Sequence, residues 1–318
     1  MMAMASKIYL LLIVLAISSG CHNAQKSVGV PTVSYGKVIR ISDLTSSYVD
    51  PRPVDVWLPP DFNEKSRYTV IYMYDGQMLF DSATTWNHQE WKVDETMQKL
   101  SGDTTLEKAI IVGIWNAGKK RHSEYFPQKP LKLIPKNIRD SITFNSIRPH
   151  GYELFDGPIY SDSLLMFIVR ELKPFIDKRY PTLPDAASTY IMGSSMGGLM
   201  SIYAICEYPG VFSKAACLST HWPGIFQSDN NPIPGAFAAY MDTHIPDPAI
   251  HAIYFDYGTA TLDTMYERHQ IVVDSILKKR GYTNKNWQTI KFEGADHSEN
   301  AWARRLEIPL RFLLKKEE

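Results

Sequence analysis

Three cysteines in 318 residues are too few for a disulfide framework, and no pair of them has the spacing of a zinc site. Neither sign of charge is in excess: 34 Lys and Arg balance 34 Asp and Glu. That balance argues against a nucleic-acid binder, which would need a basic face to meet phosphates. No His-Glu-x-x-His occurs, which removes the common zinc-hydrolase signature. Internal repeats and low-complexity blocks are missing as well. One continuous apolar run stands out, residues 8–17, and ten residues are too few to span a bilayer comfortably as a helix. What remains is ordinary globular composition, 44% hydrophobic and 21% charged, enough for a sizeable core.

Lys7 is the only charge before that apolar run, and Ser18-Ser19-Gly20-Cys21 follows it. A short apolar segment ending in small residues before a cysteine resembles a bacterial lipoprotein signal. The leucine usual three residues before the cysteine is Ser18 here. The expectation is a signal over residues 1–20, lipidation at Cys21, a polar tether over residues 21–31 and one folded domain over residues 32–318. The protein is then exported to the periplasm or cell surface, touching membrane only through the anchor. A plain signal peptide cut nearby is the alternative.

Strands are predicted at residues 33–41, 54–58, 68–74, 109–114, 189–192, 214–218, 252–256 and 287–292, the one at 68–74 as a buried strand by its β-branched and aromatic content. A helix is expected at 90–100 and another at 161–180. Ser161 is placed as cap of the second, with Leu164, Leu165, Ile168, Leu172 and Phe175 on one face. The last four strands are each followed by a helical pattern. Residues 116–160 read as a long irregular stretch, and loops of that length are usually functional. Strands alternating with crossover helices imply the α/β class, a mostly parallel sheet covered on both faces.

One motif rises above this background. Gly193-Ser194-Ser195-Met196-Gly197-Gly198 contains Gly-x-Ser-x-Gly, between a strand and the helical run at 199–205. A strand turning abruptly into a helix holds its corner residue in a strained conformation, and glycines leave room for the turn. The corner side chain then stands above the sheet at a helix N-terminus, which favours negative charge. Ser195 is the candidate nucleophile.

A serine hydroxyl needs a base, and the base needs an orienting carboxylate. Among His244, His251, His269 and His297, the last is best placed, in the polar loop Gly294-Ala295-Asp296-His297-Ser298-Glu299 between the final strand and the final helix. The acid should follow the strand at 252–256. Asp263 is preferred, and Asp256 is the alternative. Two backbone N–H groups must hold an oxyanion. Met196 supplies one, and Gln77, in the Asp75-Gly76-Gln77 turn after the strand at 68–74, is the candidate for the other.

These residues together resemble the putative-esterase branch of the α/β-hydrolases, which includes esterase D-like enzymes, enterochelin esterases, mycolyltransferases, and feruloyl and acetyl-xylan esterases. The resemblance runs from about Pro53 to the C-terminus. It rests on Tyr74-Asp75-Gly76-Gln77 with Phe80, on the doubled glycine after Ser195, and on His297 followed by Trp302. It implies carboxylic-ester hydrolysis without a metal or cofactor. One departure stands out: members commonly place the acid about three residues beyond the loop glycine, where this chain has Thr261.

Other motifs fail. Residues 113–120 nearly spell a phosphate-binding loop, but Lys120 stands where Ser or Thr should hold magnesium, and Pro127 and Pro130 argue against a following helix. Cys206 and Cys217 read as buried thiols. For substrate, Arg121, His122, Glu124 and Tyr125 with Trp86 and Trp91 are expected to form an aromatic and polar rim, and His221 to line the pocket. Arg121, Tyr125, His221 and Trp302 are the candidate substrate contacts. An exported esterase fits acylated carbohydrate, feruloyl or acetyl. A siderophore ester remains open through Lys119, Lys120 and Arg121. An acyltransferase and a catalytically silent binding protein on the same scaffold are the further alternatives.

Overall fold

A computed structural model describes residues 29–42, 44–148, 151–227 and 230–316. The signal, Cys21 and most of the tether lie outside the described residues. Eight strands form one sheet in the order β1-β2-β4-β3-β5-β6-β7-β8. They are β1 (Lys37–Ile41), β2 (Val54–Leu58), β3 (Thr69–Tyr74), β4 (Ala109–Ile114), β5 (Thr189–Ser194), β6 (Lys214–Leu218), β7 (Ala252–Gly258) and β8 (Trp287–Phe292). β1 and β2 run antiparallel to their neighbours, and β4, β3 and β5 to β8 are all parallel. The α/β class and all eight strands match the sequence expectation, with β1 shorter and β5 and β7 two residues longer.

Side-chain alternation divides the core. Val70, Tyr72 and Tyr74 of β3 join one cluster, while Ile71 and Met73 join the other. Helices α1 (Val93–Leu100), α10 (Glu299–Arg305) and α11 (Glu307–Leu314) cover the second face. The first is covered by α5 (Ser161–Phe167), α6 (Lys173–Arg179), α7 (Met196–Glu207), α8 (Ile233–His244) and α9 (Glu267–Lys279). Among the described residues no helix is long and apolar enough to cross a membrane.

Residues 116–160 are not irregular. They hold a 3₁₀ turn (Gly118–Lys120) and α2 (Arg121–Glu124), α3 (Gln128–Leu131) and α4 (Lys136–Asn145). So helical turns do follow residues 113–117, against the expectation drawn from Pro127 and Pro130. The prolines come late enough for one turn to form before them. That turn is pinned by a buried bidentate ion pair, Arg52 Nη1 and Nη2 to Glu124 at 2.5 and 2.6 Å. Lys120 is spent on the exposed Asp50 carboxylate at 2.5 Å.

Ser161 does not cap its helix either. It is the first residue of α5, and its Oγ accepts the Gln128 N–H at 3.0 Å, tying α5 to α3. The helical run continues to Arg179 but widens into a π turn over Ile168–Leu172. Pro174 follows, and without an N–H it cannot continue the regular bonding of the preceding turn.

Candidate active site

Ser195, Asp263 and His297 follow the C-terminal ends of β5, β7 and β8, the edge where open α/β sheets bind ligands, whereas His251 precedes β7 and His244 and His269 lie in α8 and α9. Ser195 joins β5 to α7 with φ 56° and ψ −121°, a conformation that L-residues seldom adopt. The turn is that tight because α7 starts hard against β5. A Cβ on Gly193 would lie 2.7 Å from the Gly197 carbonyl carbon, which only glycine avoids. The Ser195 N–H donates to Leu218 O at 2.9 Å and its carbonyl accepts the His221 N–H at 3.2 Å, so β6 locks the elbow from the side.

The β8–α10 loop brings His297 to the same edge. Its backbone N–H donates to Thr261 Oγ1 at 2.9 Å, and Ser298 caps α10 by accepting the Ala301 N–H. His297 Nδ1 lies 2.5 Å from Asp263 Oδ1. An ionised carboxylate only accepts, so Nδ1 carries a proton and Nε2 is the nitrogen left to exchange one with a substrate or nucleophile. Asp263 is buried, and burial pushes its pKa up. The bonds from His297, from Ser219 Oγ at 2.6 Å and from the Gly258 N–H at 2.6 Å outweigh that and leave it below the ordinary carboxylate value. The departure at Thr261 is thereby accounted for. Thr261 takes φ 53° and opens a 3₁₀ turn, Thr261–Met265, that carries the carboxylate two residues further on.

Asp256, the alternative acid, is engaged elsewhere. It lies buried against Arg305 Nη2 at 2.8 Å and accepts from the Tyr254 hydroxyl at 3.1 Å. Ser219 joins the two carboxylates. Its Oγ donates to Asp263 and accepts from Trp302 Nε1 at 3.0 Å and Arg305 Nη2 at 2.8 Å, which uses all of a hydroxyl's capacity.

On the other side of Ser195, Asp75 takes φ 57° and begins a 3₁₀ turn, Gly76–Met78. The tight backbone is therefore at Asp75. Gly76 is needed for a different reason, because a Cβ there would meet the Gly113 backbone of β4 at 2.5 Å. Gln77 and Met196 both sit at helical starts, where N–H groups have no acceptor within the helix. Asp75 accepts from Asn116 Nδ2 and, bidentately, from Arg121 Nε and Nη2, each at 2.7 Å. This carboxylate also lies near the elbow, 3.5 Å from where a Cβ of Gly197 would be.

Of the four candidate substrate contacts, only Arg121 reaches solvent, with its side chain 27% exposed. Tyr125 is fully buried, edge-on to Tyr74 at 5.1 Å, and its hydroxyl accepts the Asp75 N–H at 3.2 Å. Trp302 is buried between Trp91 and the edge of His297, with ring centroids 5.5 and 5.0 Å away. His221 is buried beneath the elbow, its Nδ1 2.8 Å from the Tyr266 hydroxyl. These three are supports, not a rim. Their bulk and polarity suit packing around fixed polar groups, a use the sequence does not distinguish from ligand contact. His122, Glu124 and Trp91 are likewise buried, and Trp86 is exposed. Cys206 and Cys217 are free and buried, and burial raises both thiols.

Sequence reasoning missed Ser219, Arg305, Asn116 and Tyr266. Tyr266, from the turn into α9, places its hydroxyl between His221 and Ser195, with its ring 5.8 Å from that of His297. A tyrosine three residues past the predicted acid was the one available signal. Among the described residues no group of three His, Cys, Asp or Glu could hold a metal.

The buried His122 carries a consequence for acid stability. Its Nε2 donates to the Gly224 carbonyl at 2.8 Å, and burial pulls its pKa down to about 3. Unfolded, the ring takes a proton below pH ~6.5. Between that pH and about 3 the unfolded state binds the extra proton, so folded stability falls as pH falls, by about 1.4 kcal/mol per unit in mid-window. Urea unfolding of wild type and His122→Gln at several pH values should show a flatter acid limb in the variant. Equal slopes would mean that the ring is protonated in the fold.

The sequence pattern that defines the family described as Putative esterase matches residues 45–138 and 150–312. The chain belongs to this family. It is 25% identical over 173 residues to the uncharacterized protein YbbA of Bacillus subtilis, covering 54% of this chain and 58% of that one. It thus spans little more than half the length of that curated relative. A ferulic acid esterase structure superposes with a TM-score of 0.60 at 18% identity, covering 87% of this chain and 98% of the other. An IroE-like serine hydrolase from Shewanella oneidensis does so with a TM-score of 0.60 at 20% identity, covering 88% and 80%. The fold is that of the α/β-hydrolases.

Proposed function

We propose that this esterase-family chain is a serine carboxylic-ester hydrolase working through an acyl-enzyme, with Ser195 as nucleophile, His297 as base and Asp263 as orienting acid. One observation carries the reading: a serine in strained elbow geometry shares a strand edge with a histidine whose Nδ1 is held 2.5 Å from a buried carboxylate. His297 Nε2 takes the Ser195 proton as Oγ attacks the ester carbonyl carbon. The Met196 and Gln77 N–H groups receive the developing oxyanion. When the tetrahedral adduct collapses, the C–O bond to the alcohol breaks and His297 returns the proton to that oxygen. Water then enters by the same route, and the acid leaves.

The substrate we propose is acylated carbohydrate, a feruloyl or acetyl ester. Trp86, 83% exposed, supports this with a free stacking face. Its neighbour Asn87 is bonded to Glu299 at the start of α10, two residues past His297. Export with a lipid anchor at Cys21 belongs to the same proposal, supported by the residue pattern over residues 7–21.

A fluorophosphonate probe should add once to the wild-type protein, at Ser195, and not to Ser195→Ala. A folded wild type that takes up no label would leave a silent binding protein as the better reading.

A further inference from the structure

Arg148 follows α4, and its guanidinium is half-buried with neither hydrogen bond nor carboxylate partner among the described residues. Burial lowers its pKa, and the nearby Arg121 cation lowers it further. Glu153 and Asp156 line the same cleft without pairing to it. A cation placed against both its solvation and a like charge is costly unless something else meets it. Elsewhere the described arginines with little exposure are each matched: Arg52 to Glu124, Arg305 to Asp256, Arg40 to Asp55.

Two open clefts meet at Arg148. One, of about 800 Å³, runs along Lys119, Tyr152, Phe155 and Asp156. The other, of about 290 Å³, is walled by Asn145, Ile225 and Phe226. The second cleft and Arg121 are each one contact from residues that hold the elbow. The Phe226 ring lies 5.6 Å from His221, whose N–H bonds the Ser195 carbonyl. On the other side, Arg121 is clamped to Asp75 beside the elbow through Nε and Nη2. That clamp leaves its Nη1 uncommitted among the described bonds. It also fixes the guanidinium plane, the geometry that suits a planar anion.

We infer that Arg148, with the free edge of Arg121, forms an anion subsite at the mouth of the active site, so that the preferred ester carries a carboxylate. This rests on the esterase reading and narrows it: a uronic-acid ester or a dicarboxylate half-ester fits, and a plain neutral acetate is a poorer substrate. A guanidinium pair meets the carboxylate bidentately as the ester carbonyl reaches Ser195. Binding strengthens in ground and transition state alike, so the effect belongs in KM.

The test compares matched esters differing only in charge. 4-Acetoxybenzoate against 4-acetoxybenzamide puts the charge on the leaving group. 4-Nitrophenyl hydrogen glutarate against its methyl ester puts it on the acyl group. 4-Acetoxyphenyl phosphate asks whether phosphate serves as well. Wild type should favour the anionic member of one pair at least tenfold in kcat/KM, mainly through KM, and added NaCl should shrink the preference. Arg148→Gln should bring the ratio close to one, and Arg148→Lys should restore part of it. No preference in either pair, or an equal loss on both members in Arg148→Gln, overturns the subsite. A phosphate preference above both carboxylates overturns the carboxylate assignment. If Ser195 still labels and neutral esters still turn over, the esterase reading survives that failure.

Discussion

Ser195→Ala should lower kcat on an activated acetate ester by about 10⁴- to 10⁶-fold, and adding His297→Ala to it should cost almost nothing more. In the proposed mechanism the two side chains serve one step, transfer of the Oγ proton during attack, so losing either removes the whole route. What survives is water attack on an ester held by the Met196 and Gln77 N–H groups, and this residue should still exceed the uncatalysed rate by about 10³-fold or more. The elbow itself should persist in the variant. It is fixed by the Ser195 N–H to Leu218 O bond and by the contact of Gly193 with Gly197, neither of which uses the hydroxyl. Turnover of 4-nitrophenyl acetate by wild type, both single variants and the double decides it. Losses that multiply in the double variant would mean that serine and histidine act in separate steps.

Most of the strands were legible as short apolar runs, and β2 to β6 are buried along their whole length, which no solvent-facing alternative accommodates. The glycine-flanked turn at Ser195 and the polar loop at His297 were legible as positions for a related reason, since each follows the end of a strand. Residues 116–160 were not. Two of their three helices are four residues long, prolines stand between and within them, and the Arg52–Glu124 pair that holds one of them joins positions 72 apart. Ser219 was invisible in the same way. A lone serine after a strand has no pattern, and its worth comes from four groups that only folding assembles around it. Tyr125 and Trp302 were misread because an aromatic with one polar atom suits a wet rim and a buried hydrogen bond equally.

Those groups around Ser219 set up the sharpest division of labour in the site, because the two aspartates they join should fail in opposite ways. Asp263 receives three donors: His297 Nδ1 on one oxygen, Ser219 Oγ and the Gly258 N–H on the other. An asparagine has one accepting oxygen. Its amide must turn N–H groups either to Ser219 and Gly258 or to His297, and the latter forces the imidazole proton onto Nε2, where it blocks attack by serine. Asp263→Asn should therefore lose about 10⁴ in kcat, as a wrong-tautomer variant does. Asp256 instead answers Arg305 Nη2, while the Arg305 Nε and Nη1 have no hydrogen-bond partner among the described residues and the guanidinium lies over Phe292 at 4.9 Å. Asp256→Asn leaves that buried cation without a counter-charge and should cost about 3–5 kcal/mol of stability, while kcat of the folded fraction stays within tenfold. Measuring kcat and urea unfolding on both variants separates the roles. If Asp256→Asn abolished turnover and Asp263→Asn did not, the Ser219 bridge would have to pass the acid's role to Asp256 and the triad would need redrawing.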